Sequence, residues 1–154
     1  MGEMAGLITY EFSRITSGET WPLRAAVLWP EKEAGPSCRI PTDDLPGTFH
    51  FGIRCGNELV SIGSFVPEQK PELPGAVHYR LRAMATGEGH RKRGVGRMLI
   101  EGAISALAEK NCTAVWADAR HVALGFYARL DWDVIGQTYE VPLRGPHRMV
   151  WRRI

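Results

Sequence analysis

Apolar and polar positions along the chain change period several times, and each change predicts an element. From Val77 to Ala85 the period is two. Tyr79, Leu81, Ala83 and Ala85 fall on one face, and His78, Arg80, Arg82 and Met84 on the other. That alternation predicts a strand. From Arg93 to Lys110 the period is helical, with Val95, Met98, Leu99, Gly102, Ala103, Ala106 and Leu107 in one stripe. Arg97, Glu101 and Ser105 lie opposite, as in an amphipathic helix packed on a sheet. Leu7 to Arg14 reads as an opening strand, and Thr20 to Leu28 as a short helix with Thr20 as its cap and Pro22 in its first turn. Thr48 to Arg54 and Glu58 to Val66, separated by Cys-Gly-Asn, predict a hairpin. Ala114–Ala117, Trp132–Tyr139 and His147–Arg153 read as strands, and Val122–Leu130 as a helix. Trp29–Gly47 and Pro67–Gly75 are rich in proline and glycine and predict loops. The order βαβββαβαββ predicts an α/β fold with a mixed sheet, in one layered domain over residues 1–154.

Composition narrows the classes. At 44% hydrophobic and 23% charged residues the chain reads as an ordinary globular protein. Nineteen Lys+Arg stand against 17 Asp+Glu, a balance that argues against general nucleic-acid binding. Cys38, Cys55 and Cys112 are odd in number, widely spaced and without a Cys-x-x-Cys pair, so neither a disulfide framework nor a metal site is expected. Free thiols fit a reducing cytoplasm. No stretch approaches the ~18 apolar residues of a membrane span.

The stretch that changes the picture is Gly89 to Arg97, Gly-His-Arg-Lys-Arg-Gly-Val-Gly-Arg, which opens the long predicted helix. A nucleic-acid patch, a nucleotide-phosphate loop and a cradle for another polyphosphate all compete for it. A Walker A loop fails, because Val95 and Gly96 stand where Lys and Ser/Thr must be. A dinucleotide fingerprint fails, because Lys92 occupies the position of its third glycine. The physics of a helix start still favours a polyphosphate: its first N–H groups are unpaired and carry partial positive charge. Gly94 and Gly96 would let a phosphate approach those donors closely.

Arg91-x-x-Gly94-x-Gly96, between a strand and an amphipathic helix, resembles the Gln/Arg-x-x-Gly-x-Gly/Ala motif of the GNAT superfamily of N-acetyltransferases. Ala117 to Trp132 resembles that family's downstream "NAR…A…FYeklGF" segment, and Gly145 to Arg152 resembles the "GIPHxxM" ending of one branch. Thr20 to Pro30 is similar to that branch too, so the likeness runs over nearly the whole chain. It implies a central twisted mixed sheet flanked by helices and acetyl-CoA as cosubstrate, with no metal. It implies that the strand backbone at Met84, Ala85 and Thr86 pairs with the pantetheine arm. It implies that Arg91, Lys92, Arg93, Gly94, Val95 and Gly96 hold the pyrophosphate, mainly through backbone N–H groups. Tyr127 falls where the family often aims a tyrosine at the thioester sulfur. Two departures stand out: Asp118 replaces the amide of "NAR", where it could act as a base or pair with Arg120, and Asp131 replaces a glycine at a helix end.

An amine acceptor, small molecule or peptide, must lose a proton, and Asp118, Glu140, His147, His78 and His50 are the candidate bases. Histidine has the suitable side-chain chemistry, and His147 is preferred because it sits in the ending that resembles one branch of the family. Arg82, Asp118 and His147 are expected on the acceptor side, and residues 29–47 as an acceptor wall. Arg80 and Arg82 would attract an acidic acceptor or neutralise nearby acids. The reading carries no nucleic-acid or membrane partner, and an edge strand or the C-terminal strand offers a route to a homodimer. The competing reading is a non-catalytic acyl-CoA-binding sensor of the same fold.

Overall fold

The computed structural model describes residues 8–154. Leu7, where the opening strand was expected to begin, lies outside them. The chain forms β1 (Tyr10–Ile15), a helical segment over 18–28, β2 (Phe49–Cys55), β3 (Glu58–Pro67) and β4 (His78–Thr86). Then follow α2 (Val95–Ala108), β5 (Ala114–Arg120), α3 (Leu124–Arg129), β6 (Asp133–Val141) and β7 (Gly145–Arg153). The helical segment comprises a 3-10 turn (Gly18–Thr20), α1 (Trp21–Leu23) and a π turn (Arg24–Leu28). The expected element order holds. Thr20 does not cap it, however: its hydroxyl donates to the Ser17 carbonyl at 2.6 Å, because the backbone is already helical one turn earlier.

The seven strands form one sheet in the order β1-β2-β3-β4-β5-β7-β6. Every neighbouring pair is antiparallel except β4 and β5. These two run parallel because α2 carries the chain across between them. The parallel ladder is short, joining His78 to Ala114, Tyr79 to Val115 and Arg80 to Trp116. Beyond it β4 continues to Thr86 along β3, and β5 continues to Arg120 along β7. The two strands part, and a gap opens in the middle of the sheet.

β4 also carries a bulge. Ile62 pairs with Ala85 and Ser64 with Arg82, so Ala83 and Met84 together face Gly63. Ala83 has φ +53°, an uncommon conformation for a residue with a side chain. The extra residue shifts the alternation by one. Met84 therefore joins Leu81 on the α2 side, and Ala85 joins Ile15 and Ile62 on the α1 side. This corrects the strict period of two expected for Val77–Ala85.

On one face α2 and α3 pack over Phe51, Phe65, Leu81 and Val115. α2 buries Val95, Leu99, Ile100, Ala103 and Leu107, whereas Met98, expected in the stripe, is exposed. Gly102 lets β1 reach the helix: a Cβ there would lie 2.5 Å from the Phe12 ring. The other face holds the helical segment and the 29–47 loop, which contains short 3-10 turns at Pro36–Cys38 and Pro41–Asp44. Arg24, fully buried, clamps that loop. Its guanidinium donates to both Asp43 carboxylate oxygens at 2.7 and 2.9 Å, to the Cys38 carbonyl at 2.9 Å and to Ser64 Oγ at 3.0 Å. Among the described residues no helix is long and apolar enough to cross a membrane.

Candidate active site

The gap between β4 and β5 is the mouth of a cleft of about 1010 Å³. Met84, Ala85 and Thr86 form one wall, and Ala117 to Arg120 the other. Gly94, Val95 and Gly96 close one end, Phe126 and Tyr127 reach in from α3, and Leu28 and Trp29 come from the helical segment. The π turn places these last two, since Trp29 N–H bonds back five residues to the Arg24 carbonyl at 2.9 Å. Of the 29–47 loop it is Trp29 that lines the cleft, so that loop is an anchored support rather than the broad acceptor wall expected.

The start of α2 has the features of an anion cradle. Gly94 precedes the helix at φ +76°, ψ +11°, a conformation that costs a residue with a Cβ about 1–2 kcal/mol. Lys92 sits at φ +63° and bears that cost itself. No acid lies in the first turn and no side chain caps it, so among the described residues its N–H donors have no side-chain partner. At Gly96 the requirement is space: a Cβ would stand 3.2 Å from Met84 Cε and from the Phe126 ring. Arg91 lines the cleft, but its Nε donates to the Thr86 carbonyl at 3.2 Å and thereby holds the loop against β4. Lys92 also lines the cleft, whereas Arg93 is exposed and does not.

Tyr127 is 7% exposed, wedged between Phe126 and Trp132 at ring separations of 5.2 and 5.0 Å. Its hydroxyl has no hydrogen-bond partner among the described residues and faces the cleft. Burial pushes its pKa above the ordinary phenol value, so the group keeps its proton. Asp131 takes φ +68° just past α3, in place of the glycine of the resembling segment.

On the α1 side the cleft adjoins a chamber of about 430 Å³ that shares Leu81, Ala83, Asp118 and His147 with it. Asp118 does not pair with Arg120. It accepts from Arg80 through one oxygen and from the Tyr139 hydroxyl through the other, because the register of β4, β5 and β6 sets all three on one face. Burial first, and that hydrogen bond second, raise the Tyr139 pKa, so Tyr139 stays a donor. Arg80 also reaches Glu68 at 3.3 Å and lies over the Trp116 ring at 4.9 Å.

His147 is buried, and its Nδ1 lies 2.9 Å from the Gly145 carbonyl. A carbonyl can only accept, so Nδ1 carries a hydrogen, and in the neutral ring Nε2 is the nitrogen with the lone pair. Three of the other candidate bases, His78, His50 and Glu140, lie outside both cavities. His78 Nδ1 accepts from Lys70 N–H and its Nε2 bonds the Pro74 carbonyl. His50 lies between Ser64 and the Asp43 carbonyl, and Glu140 is exposed outside both cavities. Sequence reasoning missed Tyr139 and Phe126, and covered Trp29 only as the first residue of the 29–47 loop. The motif segment named Phe126 as a neighbour of Tyr127 and nothing more. Tyr139 reaches Asp118 across a β6–β7 register that shifts between Ile135 and Tyr139, with Gly136 at φ +81°, which no alternation count reveals.

The "Acetyltransferase (GNAT) family" model matches residues 14–132. The chain is 37% identical over 144 residues to an uncharacterized N-acetyltransferase, YitI, of Bacillus subtilis (strain 168), covering 94% of this chain and 96% of that protein. Its fold is similar to a crystal structure of an acyl-CoA N-acyltransferase from Pseudomonas aeruginosa, with TM-score 0.71, 18% identity, and coverage of 95% and 99%. It is also similar to an aminoglycoside 6'-N-acetyltransferase complexed with coenzyme A, with TM-score 0.73, 14% identity, and coverage of 93% and 96%. The chain therefore belongs to the GNAT family of acetyltransferases and is an acyl-CoA-dependent N-acetyltransferase, acting on an amine.

Proposed function

We propose that the chain moves an acetyl group from acetyl-CoA directly to an amine within a ternary complex, and that residues 1–154 are one catalytic domain. The observation that carries this is a convergence: the uncapped start of α2, the freed edge of β4 and the unbonded Tyr127 hydroxyl all meet in one cleft. Three free thiols suit a reducing cytoplasm as its place of work.

Bound acetyl-CoA supplies a thioester whose carbonyl carbon is open to attack and whose sulfur can leave. The first-turn N–H groups at Val95 and Gly96 hold the pyrophosphate, with Gly94 setting their direction. The β4 edge at Met84, Ala85 and Thr86 aligns the pantetheine arm, and the backbone near Met84 and Ala85 polarises the thioester carbonyl. His147 Nε2 takes a proton from the incoming ammonium. A bond forms from the amine nitrogen to the acyl carbon, and the carbon–sulfur bond breaks. Tyr127 gives its proton to the departing sulfur and recovers one from the nitrogen through the site or solvent. The net products are the N-acetyl amine, free CoA thiol and one proton. Burial keeps Tyr127 protonated, so it meets the departing sulfur as a donor.

The test is turnover of acetyl-CoA over a panel of primary amines, read as free thiol and as acetylated product. Amine-dependent release of both in equal amounts is expected. Tight acetyl-CoA binding with no release for any amine would favour a sensor and overturn the catalytic reading.

A further inference from the structure

The polar chamber beside the cleft contains two arginines in different states. Arg80 is committed: it is hydrogen-bonded to Asp118 and to Glu68, and stacks on Trp116. Arg82, two residues along the same strand face, has neither a hydrogen bond nor an ion pair among the described residues. It is half-buried and lines the chamber together with Asp118, Tyr139 and His147. Burial first, and the neighbouring Arg80 guanidinium second, lower its pKa; Glu68 and Asp118 act on it from nearby in the opposite sense. Those two carboxylates are held by Arg80, and Asp118 also accepts from Tyr139, so neither closes on Arg82.

A guanidinium presents five donors in a rigid fork matched to a carboxylate. A half-desolvated one without a partner is a costly arrangement unless an anion completes it. The strand fixes its place. The Ala83–Met84 bulge begins immediately after Arg82, so Arg82 is the last residue on the α1 side of β4 ahead of the bulge. His147 lines both the chamber and the cleft.

We propose that the acceptor is a small amine bearing a carboxylate, of the free amino-acid class. Its carboxylate sits on the Arg82 fork and its amine is directed to His147 Nε2 and the cleft. The chamber, at about 430 Å³, lies near the small end of ligand pockets and suits one residue-sized molecule rather than a peptide segment. Tyr139, Asp118 and Arg80 also line the chamber, and their mutual hydrogen bonds keep Asp118 from competing for the guanidinium. This assignment rests on the acetyltransferase reading above and narrows its acceptor.

The experiment compares free amino acids with the matching amino-acid amides and with dipeptides, for wild type, Arg82→Gln and Arg82→Lys. Thiol release gives kcat/KM, and calorimetry gives acetyl-CoA affinity separately. For wild type, kcat/KM for the preferred free acid is expected to exceed that for its amide by about 10- to 100-fold. Arg82→Gln is expected to collapse that ratio toward one, mainly through KM for the acid, while acetyl-CoA affinity stays as in wild type. Arg82→Lys restores part of the ratio, because it keeps the charge without the fork. Amides or dipeptides used as well as free acids would overturn this proposal and leave the acetyltransferase reading standing, as would an equal loss for acid and amide in Arg82→Gln. Absence of turnover with every amine, despite acetyl-CoA binding, would overturn the acetyltransferase reading and this proposal with it.

Discussion

The Tyr127 hydroxyl meets no hydrogen-bond partner among the described residues, which makes it a clean target. Tyr127→Phe removes one oxygen and none of the hydrogen bonds among those residues, and leaves the ring packed between Phe126 and Trp132. It is expected to keep its melting temperature and acetyl-CoA affinity while kcat falls about 10²- to 10⁴-fold, as loss of a proton donor dictates. Steady-state kinetics beside calorimetry checks this, and unchanged kcat removes Tyr127 from the mechanism. His147→Gln is expected to lower kcat/KM for the amine with little effect on donor affinity, and added imidazole should restore part of the rate. Tyr127 was legible because its neighbours in sequence form a recognisable segment. The Arg80–Asp118–Tyr139 chain was not, because it depends on which strands lie side by side and in what register. Local sequence suggested Arg120 for Asp118 only because it is near in the chain.

At the scale of elements, the cradle is a property of backbone. Gly94 is needed for its left-handed conformation, and Gly96 for the space filled by Met84 and Phe126. Gly94→Val or Gly96→Val is therefore expected to weaken acetyl-CoA binding more than tenfold, against less than about threefold for Lys92→Ala, whose side chain is exposed. Calorimetric titration of the three variants decides this. Equal losses would mean that side-chain charge, not backbone, holds the ligand. The glycine spacing was legible in sequence. The bulge at Ala83–Met84 was not: alanine gives no hint of φ +53°, and the alternation reads through it unbroken. α2 likewise kept its period but packs with Ile100 inward and Met98 outward, because the helix begins at Val95 and its buried face is set by the strands beneath.

Across the whole molecule, the two faces of the sheet do different work. The α2 side is a continuous apolar core, whereas the α1 side encloses a buried polar network of Arg24, Asp43, Ser64 and His50. The network ties the 36–44 turns under β2 and β3, and so steadies the segment that carries Leu28 and Trp29 to the cleft. Asp43→Asn leaves the Arg24 charge buried without its counter-ion and is expected to cost about 3–5 kcal/mol, measured by chemical denaturation. Burial by itself would raise the Asp43 pKa, but hydrogen bonds from Arg24 and from Ile40 N–H outweigh it, and the net shift is downward. A lowered folded-state value means that this contribution is complete above the ordinary carboxylate pKa of about 4 and is lost as pH falls through the folded value. Wild type should therefore lose stability in acid more steeply than Asp43→Asn. This network lay beyond a sequence reading, since its members are up to 40 residues apart and meet only when the loop folds back under the sheet.

The central claim is that the β4–β5 gap holds the donor, with its pyrophosphate on the backbone at the start of α2. A crystal structure with acetyl-CoA tests it most directly. The predicted result has phosphate oxygens within about 3 Å of the Val95 and Gly96 N–H groups and the thioester sulfur within hydrogen-bond reach of the Tyr127 hydroxyl. A pyrophosphate held by Lys92 and Arg93 side chains away from those N–H groups, or a donor bound outside the gap, would contradict it.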